Sequence, residues 1–529
     1  MPPRSKAHDM AVLGALLLIV AALLGYFVYF AKKVNEHWKN KGVPHKTPML
    51  FFGNSINAVL GKGNLMNENR QDVLRMFPKA PLVGYYDFVK PTLIVNDLDL
   101  VQKVLIKDFS HFNTRPMNPD EEKFPELVNL SNMTGKRWKS LRNKMIPVFT
   151  TGKLRLMFEQ MSILSDTLLG SINPKDEEEV KSVDLKKLFN CYSMDIIGST
   201  AFGIEVGTLK DSNNEFARIG RTAFGWNFTL RFMFMYNFPS LSRRLGIGMN
   251  SPSIVKYYSD IVKQTLAHRV ASGGQRNDFV NLMLTLKEKG FLESGKEEMD
   301  SYLDMVDDSL PDNERVEITE NLILSNAFLF IMAGFEPVGT VLSHLCFDLS
   351  QNVDKQEKLR NEILKAYDAK KGVFNYDTIR DTPYMEMCVK ETMRLHTVVG
   401  IINRECSKEY TFPGTNVTVK PGEAIEISSY SIHMNPEIYR EPEKFIPERF
   451  GPDVTYPPCT WLPFGDGPRI CIAMRFVITE VKCAMAKLLL KYDIRLNPKT
   501  VLPIKPKSLS ILYNTASPMY FDLIKRPEH

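Results

Sequence analysis

The sequence has no cysteine framework. Its 529 residues include seven cysteines, an odd number scattered without paired spacing, which excludes a small disulfide-stapled scaffold and fits a reducing compartment. There is no Lys/Arg-rich tail, and a net charge of +6 is modest for this length, so no nucleic-acid partner is expected. No internal repeat is present, and 44% hydrophobic with 24% charged residues is ordinary for a globular chain. The last absence is local. From Met10 to Ala31 no side chain is charged.

That stretch is long enough to matter, since 22 residues at ~1.5 Å each exceed the ~30 Å hydrocarbon core of a bilayer. A cleaved signal peptide would need a shorter apolar core and a small-x-small site near its end. Instead the run closes on Tyr26-Phe27-Val28-Tyr29-Phe30 and then Lys32-Lys33. Aromatics at the interface followed by lysines point to a retained single-pass anchor with its positive side cytoplasmic. Residues 1–33 are therefore expected to form the anchor, and 34–53, broken by Pro44, Pro48 and Gly53, a stiff turn-rich hinge. Four N-x-S/T sequons, at Asn129, Asn132, Asn227 and Asn416, are chance matches if the body faces the cytoplasm.

Pro81–Phe88 and Pro91–Asn96 read as short strands, followed by an amphipathic helix near Leu98–Ile106. The pattern is then mainly helical to about residue 400, where a mixed strand-and-turn stretch begins. Few strands grouped near the ends and a helical majority predict one large α-rich domain over 54–529, mainly α with small β-sheets (α+β). Residues 287–320 hold twelve acidic and four basic side chains and read as a solvated connection. Asn321–Phe335 is uncharged but too short for a second span, and predicts a buried core helix.

The chemistry centres on residues 464–473, Phe-Gly-Asp-Gly-Pro-Arg-Ile-Cys-Ile-Ala. Cys471 follows a turn built by Gly465, Gly467 and Pro468, with an apolar helical stretch from Ile472 to Leu490 beyond it. Glycines let backbone approach a bulky flat ligand closely. Free N–H groups at a helix start stabilise a thiolate, and Arg469 can pair with a carboxylate at the ligand's rim. A lone cysteine is usually a small buried hydrophobe; the ten-residue pattern is far more specific.

The pattern resembles the haem-binding signature of the cytochrome P-450 family, F-x-x-G-x-R-x-C-x-G, matched by Phe464, Gly467, Arg469 and Cys471. It departs only at Ala473, where the family has Gly. The resemblance implies haem as cofactor, with the Cys471 thiolate as axial iron ligand. Three further matches follow the family's order. Glu391 and Arg394 with Pro447-Glu448-Arg449-Phe450 look like its E-x-x-R helix and P-E-R-F segment, a structural network. Trp138 and Arg142 resemble its W-x-x-x-R, which bonds a haem propionate. Arg404 often serves the same purpose, and Arg115 is a further candidate. Ala333-Gly334-Phe335-Glu336, Cys471–Phe476 and the Trp38…Gly42-Val43-Pro44 entry look most like arthropod microsomal members.

One departure bears on catalysis. The family's oxygen-side helix usually reads A-G-x-E/D-T, its Thr hydroxyl helping to deliver protons to dioxygen. Here the fifth residue is Pro337, which has no hydroxyl and no N–H and, inside a regular helix, clashes with the carbonyl four residues back at ~3 kcal/mol. Glu336 and Thr340, four apart on one face, are the remaining candidates for that catalytic role.

The resemblance implies a monooxygenase in the endoplasmic reticulum membrane, its catalytic domain facing the cytoplasm. It would insert one oxygen atom into a lipophilic small molecule with electrons from NADPH through a partner reductase. A haem-thiolate isomerase or dehydratase needing no external electrons, or a haem protein that sequesters lipophilic ligands, are the alternatives. The pocket is expected to draw on Arg115–Leu130, Trp226–Tyr236, Phe328–Glu336 and Thr397–Ile402, whose apolar and aromatic content suits a lipophilic ligand.

Thr134–Arg155 contains seven basic residues and no acidic one. By the same resemblance it lies on the cysteine side of the haem, where an acidic flavoprotein docks. Charge reversal at Lys139 or Lys144 is expected to slow reduction, with a defect that shrinks as salt rises. Stopped-flow reduction at several ionic strengths measures it, and rates indifferent to both changes would refute the docking face.

Overall fold

The computed structural model describes residues 6–117, 120–172, 179–273, 278–289 and 316–527. Most of the acidic stretch at 287–320 lies outside them. The strands among the described residues are β1 (Leu82–Asp87), β2 (Lys90–Val95), β3 (Val180–Asp184), β4 (Ile401–Glu405), β5 (Tyr410–Thr411), β6 (Thr418–Val419), β7 (Ala424–Ser428), β8 (Tyr492–Leu496) and β9 (Tyr520–Lys525). They form a sheet of order β1-β2-β7-β4, a second of order β3-β9-β8 and the β5-β6 ribbon. The β1/β2 hairpin is antiparallel, with Leu82 opposite Val95. Strand β7 runs parallel to β2 and antiparallel to β4. The other regular elements among the described residues are helices and short helical turns. The α+β class with small sheets, read from sequence, is the fold.

Two consecutive helices, largely buried, follow one another with a single-residue break. Thr319 caps Glu320–Gly334, its side chain accepting from the Leu322 N–H, with Glu320 favourably placed against the helix dipole. The helix stops at Gly334 and a new one, Glu336–Gln351, starts with Pro337 in its first turn. Proline suits that position because its missing N–H would be unbonded there anyway. The clash that a regular helix would impose is thus avoided by a break between the helices, where Phe335 has φ −109° and ψ −51°.

The N-terminal helix, Lys6–Asn35, carries Lys32 and Lys33 in its last turn. It and the consecutive helix pair are both long and apolar enough to cross a membrane, but the stretch in that pair is 67% buried in protein and the N-terminal one 0%. That contrast separates a core helix from a candidate anchor. The stretch 34–53 departs from the hinge expected there. Trp38 is 1% exposed, and its indole N–H donates to the Tyr85 carbonyl at 3.0 Å, so the segment is packed on the body.

Helix Met474–Lys491 carries the largest run of buried residues toward its C-terminal half. Among them is Glu480, 1% exposed, with neither carboxylate oxygen hydrogen-bonded. Burial pushes its pKa up from 4.5 to about 8. Between those values the folded state holds a proton that the unfolded chain has released, so stability falls as pH rises through this window. Glu480→Gln removes the penalty and is expected to stabilise the protein at pH 8 relative to pH 5, by on the order of a few kcal/mol. Chemical unfolding at both pH values checks this; an equal shift at each would contradict it.

Candidate functional site

The segment before helix Met474–Lys491 is wound into a tight loop. The Cys471 N–H donates to the Phe464 carbonyl at 2.9 Å and the Gly465 N–H to that of Leu462 at 3.1 Å. Gly467–Arg469 forms one 3₁₀ turn capped by Asp466. Gly467 has φ +70°, and a Cβ there would stand 2.0 Å from the Leu105 carbonyl oxygen. Its lack of a side chain therefore serves contact with protein backbone rather than with a ligand. At Ala473 φ is −93°, a conformation any residue adopts, so the family's glycine is not required by the backbone here.

Six of the seven cysteines are buried and Cys471 is exposed. Its accessible surface faces a partly open cavity of about 520 Å³. Burial raises its thiol pKa, against the opposing effects of the Ala473 N–H, Arg142 and Arg115. The helix was expected to begin beside the cysteine; it begins three residues later, at Met474. Desolvation thus outweighs the local N–H stabilisation, and full ionisation of this thiol calls for a bound metal cation.

Arg115, Arg142, Arg404 and Arg469 line the same cavity, with Trp138 and Phe464. No carboxylate of the described residues lines it. The contacts of Arg115, Arg404 and Arg469 are to neutral groups, and Arg142 reaches a backbone carbonyl among its partners. Arg115 donates to the Ser131 hydroxyl at 2.5 Å, Arg142 to the Ile470 carbonyl at 2.9 Å and Arg404 to that of Asn403 at 2.9 Å. Arg469, expected at a ligand's rim, spends its terminal nitrogens on the carbonyls of Met133 at 2.6 Å, Asn113 at 2.8 Å and Ser131 at 3.2 Å. It also lies 4.2 Å from the Trp138 ring centre. The Nε atoms of Arg404 and Arg469 are buried without a partner. Burial and the neighbouring Arg115 push Arg404 down to about 9. Burial, then Arg115, Arg404 and Arg142, hold Arg469 well below the usual range.

Crowded cations in an apolar cavity are costly unless anions join them. Two carboxylates on a flat, otherwise apolar ligand, with a metal opposite Cys471, match this donor set. Haem has that composition, and the residues present fit it.

The oxygen-side helix differs from expectation. Ala333, Gly334, Pro337 and Val341 line the cavity, but Glu336 and Thr340 do not. Glu336 accepts from Asn190 at 2.9 Å and pairs with Lys186 at 3.2 Å. The Thr340 hydroxyl is engaged by Lys186, the Glu336 carbonyl at 2.9 Å and Asn514 at 3.1 Å. The two do share a face, but it is the face turned toward helix Leu185–Ile197. Neither is placed to hand a proton directly into the cavity.

The other expected pocket segments divide. Arg115 and Leu130, Leu329, Phe330, Ala333 and Gly334, and Val398, Val399, Ile401 and Ile402 contribute to the wall, whereas Trp226–Tyr236 contributes nothing. Helix Trp226–Asn237 packs one layer out, with Phe232 and Met233 against a cluster containing Ile401. Conversely Ile197, Thr200, Ala201 and Phe279 line the cavity and were not foreseen. They are ordinary core residues far from any motif, and only the packing of their helices brings them there.

Behind the loop, Glu391 and Arg394 are fully buried and joined by bonds of 2.8 and 2.9 Å. Arg449 adds a bond to Glu391 at 3.2 Å. Arg394 also donates to the carbonyls of His433 and Pro442. His433 accepts from the Leu462 N–H at 2.8 Å, so the network reaches the first residue of the cysteine loop. Burial and Arg394 push His433 down to about 3, which keeps its imidazole neutral and able to accept.

A family model described as Cytochrome P450 matches residues 43–521. The chain is 31% identical over 520 residues to Cytochrome P450 6a2 of Drosophila melanogaster, covering 97% of this chain and 99% of that protein. It is 33% identical to Cytochrome P450 6a8 of the same fly, with 94% and 97% covered. With Cytochrome P450 6B2 of Helicoverpa armigera the identity is 32%, over 91% of this chain and 92% of that protein.

Cys471→Ala is expected to abolish the thiolate-type absorption of the reduced carbon-monoxide complex, because a methyl group cannot ligate iron. Difference spectroscopy reads it directly. An unchanged spectrum would remove Cys471 from the site.

Proposed function

The chain belongs to the cytochrome P450 family, and from that premise we propose that it inserts one oxygen atom of O₂ into a lipophilic small molecule. The other atom leaves as water, and electrons come from NADPH through a flavoprotein reductase. Members are haem-thiolate monooxygenases, of which the insect proteins named above are relatives. When bound, haem supplies the oxygen-activating chemistry, with a thiolate ligand favouring O–O cleavage.

The reading is carried by one observation: a lone exposed cysteine and four arginines share a cavity that no carboxylate lines among the described residues. Cys471 would be the axial ligand. Trp138, Arg142, Arg115, Arg404 and Arg469 would hold the propionates, and Phe464 and Gly467 would shape the loop. Apart from the arginines the wall is largely aliphatic and aromatic, which supports a lipophilic substrate. The N-terminal helix supports anchoring in the endoplasmic reticulum membrane with the body cytoplasmic. On helix Gly135–Met145, Trp138 and Arg142 are buried, while Lys139 and Lys144 are only partly so.

Pro337 favours a second reading. It lines the cavity where a hydroxyl would be expected, and Glu336 and Thr340 point elsewhere. The cavity-lining hydroxyls are themselves engaged, Ser131 with Arg115 and Thr200 with the Ile196 carbonyl. A rearrangement of an already oxygenated substrate would need neither electrons nor that proton donor. For the monooxygenase, the arrangement predicts poor coupling, since general acid assistance contributes ~10²–10⁴-fold. The natural protein is expected to release peroxide at the expense of product, and Pro337→Thr to raise the ratio of product to NADPH consumed. Product, peroxide and NADPH measured together in both forms decide it. Tight coupling in the natural protein would mean that ordered water alone carries the protons. Substrate conversion without NADPH use would establish the rearrangement instead.

A further inference from the structure

The junction between the N-terminal helix and the body is built like a joint meant not to bend. Along the last turns of Lys6–Asn35, Phe27, Ala31 and Val34 fall at positions i, i+4 and i+7, one stripe of a helix. The stripe packs inward: Ala31 is 1% exposed and Val34 joins the cluster around the β1/β2 hairpin. Phe27 stacks on Phe51 with ring centres 4.8 Å apart and planes 9° from parallel, and meets Phe238 at 6.3 Å. Phe51 is itself held at φ +69°, a region unfavourable to a bulky residue, and strain of this kind persists only where its surroundings impose it.

The chain then leaves the helix through a second set of contacts. The Tyr86 hydroxyl donates to the Asn35 carbonyl at 2.8 Å and accepts from the Trp38 N–H at 3.1 Å. The Trp38 ring fills the space above Gly84, where an added Cβ would come within 2.4 Å of it. Lys41 grips both Glu423 oxygens at 2.6 and 2.7 Å and the Thr418 carbonyl at 3.1 Å. The Gly84 N–H donates to the Pro44 carbonyl at 2.8 Å. Buried aromatics, backbone bonds and an ion pair thus hold successive residues of the exit path.

We propose that this set of contacts is a clamp that fixes the direction of the membrane anchor relative to the catalytic body, so that the cavity is presented to the bilayer at one angle. The inference rests on the reading of residues 10–31 as a membrane anchor. A flexible tether would let the body tumble above the lipid. Here the Phe27, Trp38 and Lys41 contacts hold the exit path jointly, so that losing one of them loosens the joint.

The test measures the distance between spin labels at Leu18→Cys, on the exposed part of the anchor, and Met76→Cys, on the body surface; these positions are 73% and 54% exposed. Native cysteines interfere little, because six are buried and the seventh faces the cavity. In haem-loaded, full-length protein reconstituted in phosphatidylcholine nanodiscs, one narrow distance distribution is expected. Trp38→Ala, and separately the pair Lys41→Gln with Glu423→Gln, should lose that single peak while the carbon-monoxide spectrum stays intact. The milder pair guards against a Trp38 variant that fails to fold. A broad distribution in the parent, or a narrow one in the spectrally intact pair variant, overturns the clamp. Failure to enter nanodiscs would instead overturn the anchor reading, and the same distances taken in detergent would still decide the joint.

Discussion

Positive charge gathered inside an apolar cavity is the constraint around which this protein is arranged. Arg115, Arg142, Arg404 and Arg469 converge on one space that no carboxylate lines among the described residues, and the depression of Arg404 to about 9 expresses how unfavourable that is without a counter-ion. Each buried unpaired ion costs several kcal/mol after relaxation. A ligand bearing two carboxylates therefore stabilises the fold as well as equipping it for chemistry. The arginines come from four separate parts of the chain: the loop at 115, helix Gly135–Met145, strand β4 and the cysteine loop. Ligand and tertiary structure are thus mutually dependent. Arg469 makes the dependence concrete, since the same side chain that faces the cavity ties down the carbonyls of residues 113–133.

The scaffold that holds this charge uses opposite electrostatics. Glu391, Arg394 and Arg449 are buried but paired, and their remaining donors reach carbonyls of the segment that precedes the cysteine loop. The Trp461 indole adds a bond to the Lys390 carbonyl at 3.1 Å, one residue before the loop's first contact. A satisfied network of this kind rigidifies what it touches. Cys471 is therefore presented from a fixed platform, while another part of the wall is the break between the two helices. There proline is accommodated because it opens a helix instead of interrupting one.

Much of this was legible in the residues. The uncharged N-terminal run, the β1/β2 strands and the buried helix after Asn321 followed from composition and periodicity alone. Phe464 and Cys471 of the ten-residue pattern line one cavity with Trp138, Arg142, Arg115 and Arg404. Other expectations needed revision. Gly467 is glycine because of the Leu105 carbonyl, a contact across hundreds of residues. Helix Trp226–Asn237 has the aromatic content of a pocket wall but sits a layer away. The proline- and glycine-punctuated stretch at 34–53 is clamped by Trp38 and Lys41. Glu336 and Thr340 were placed on a common face correctly, but on the wrong side of the helix.

That last case marks the boundary between the two kinds of information. Spacing along a chain determines which side chains share a helix face, because each residue turns about 100°; it determined that Glu336 and Thr340 travel together, that Pro337 and Val341 do, and that Glu391 can reach Arg394. It also determined the order of elements and the chemistry available at the cysteine. Which face meets the cavity is not a property of spacing. It was decided when Lys186 and Asn190 of a neighbouring helix captured Glu336, since a carboxylate facing an apolar space would lack the partners that a packed polar surface offers. The sequence determined the phase relations, and tertiary packing chose the phase.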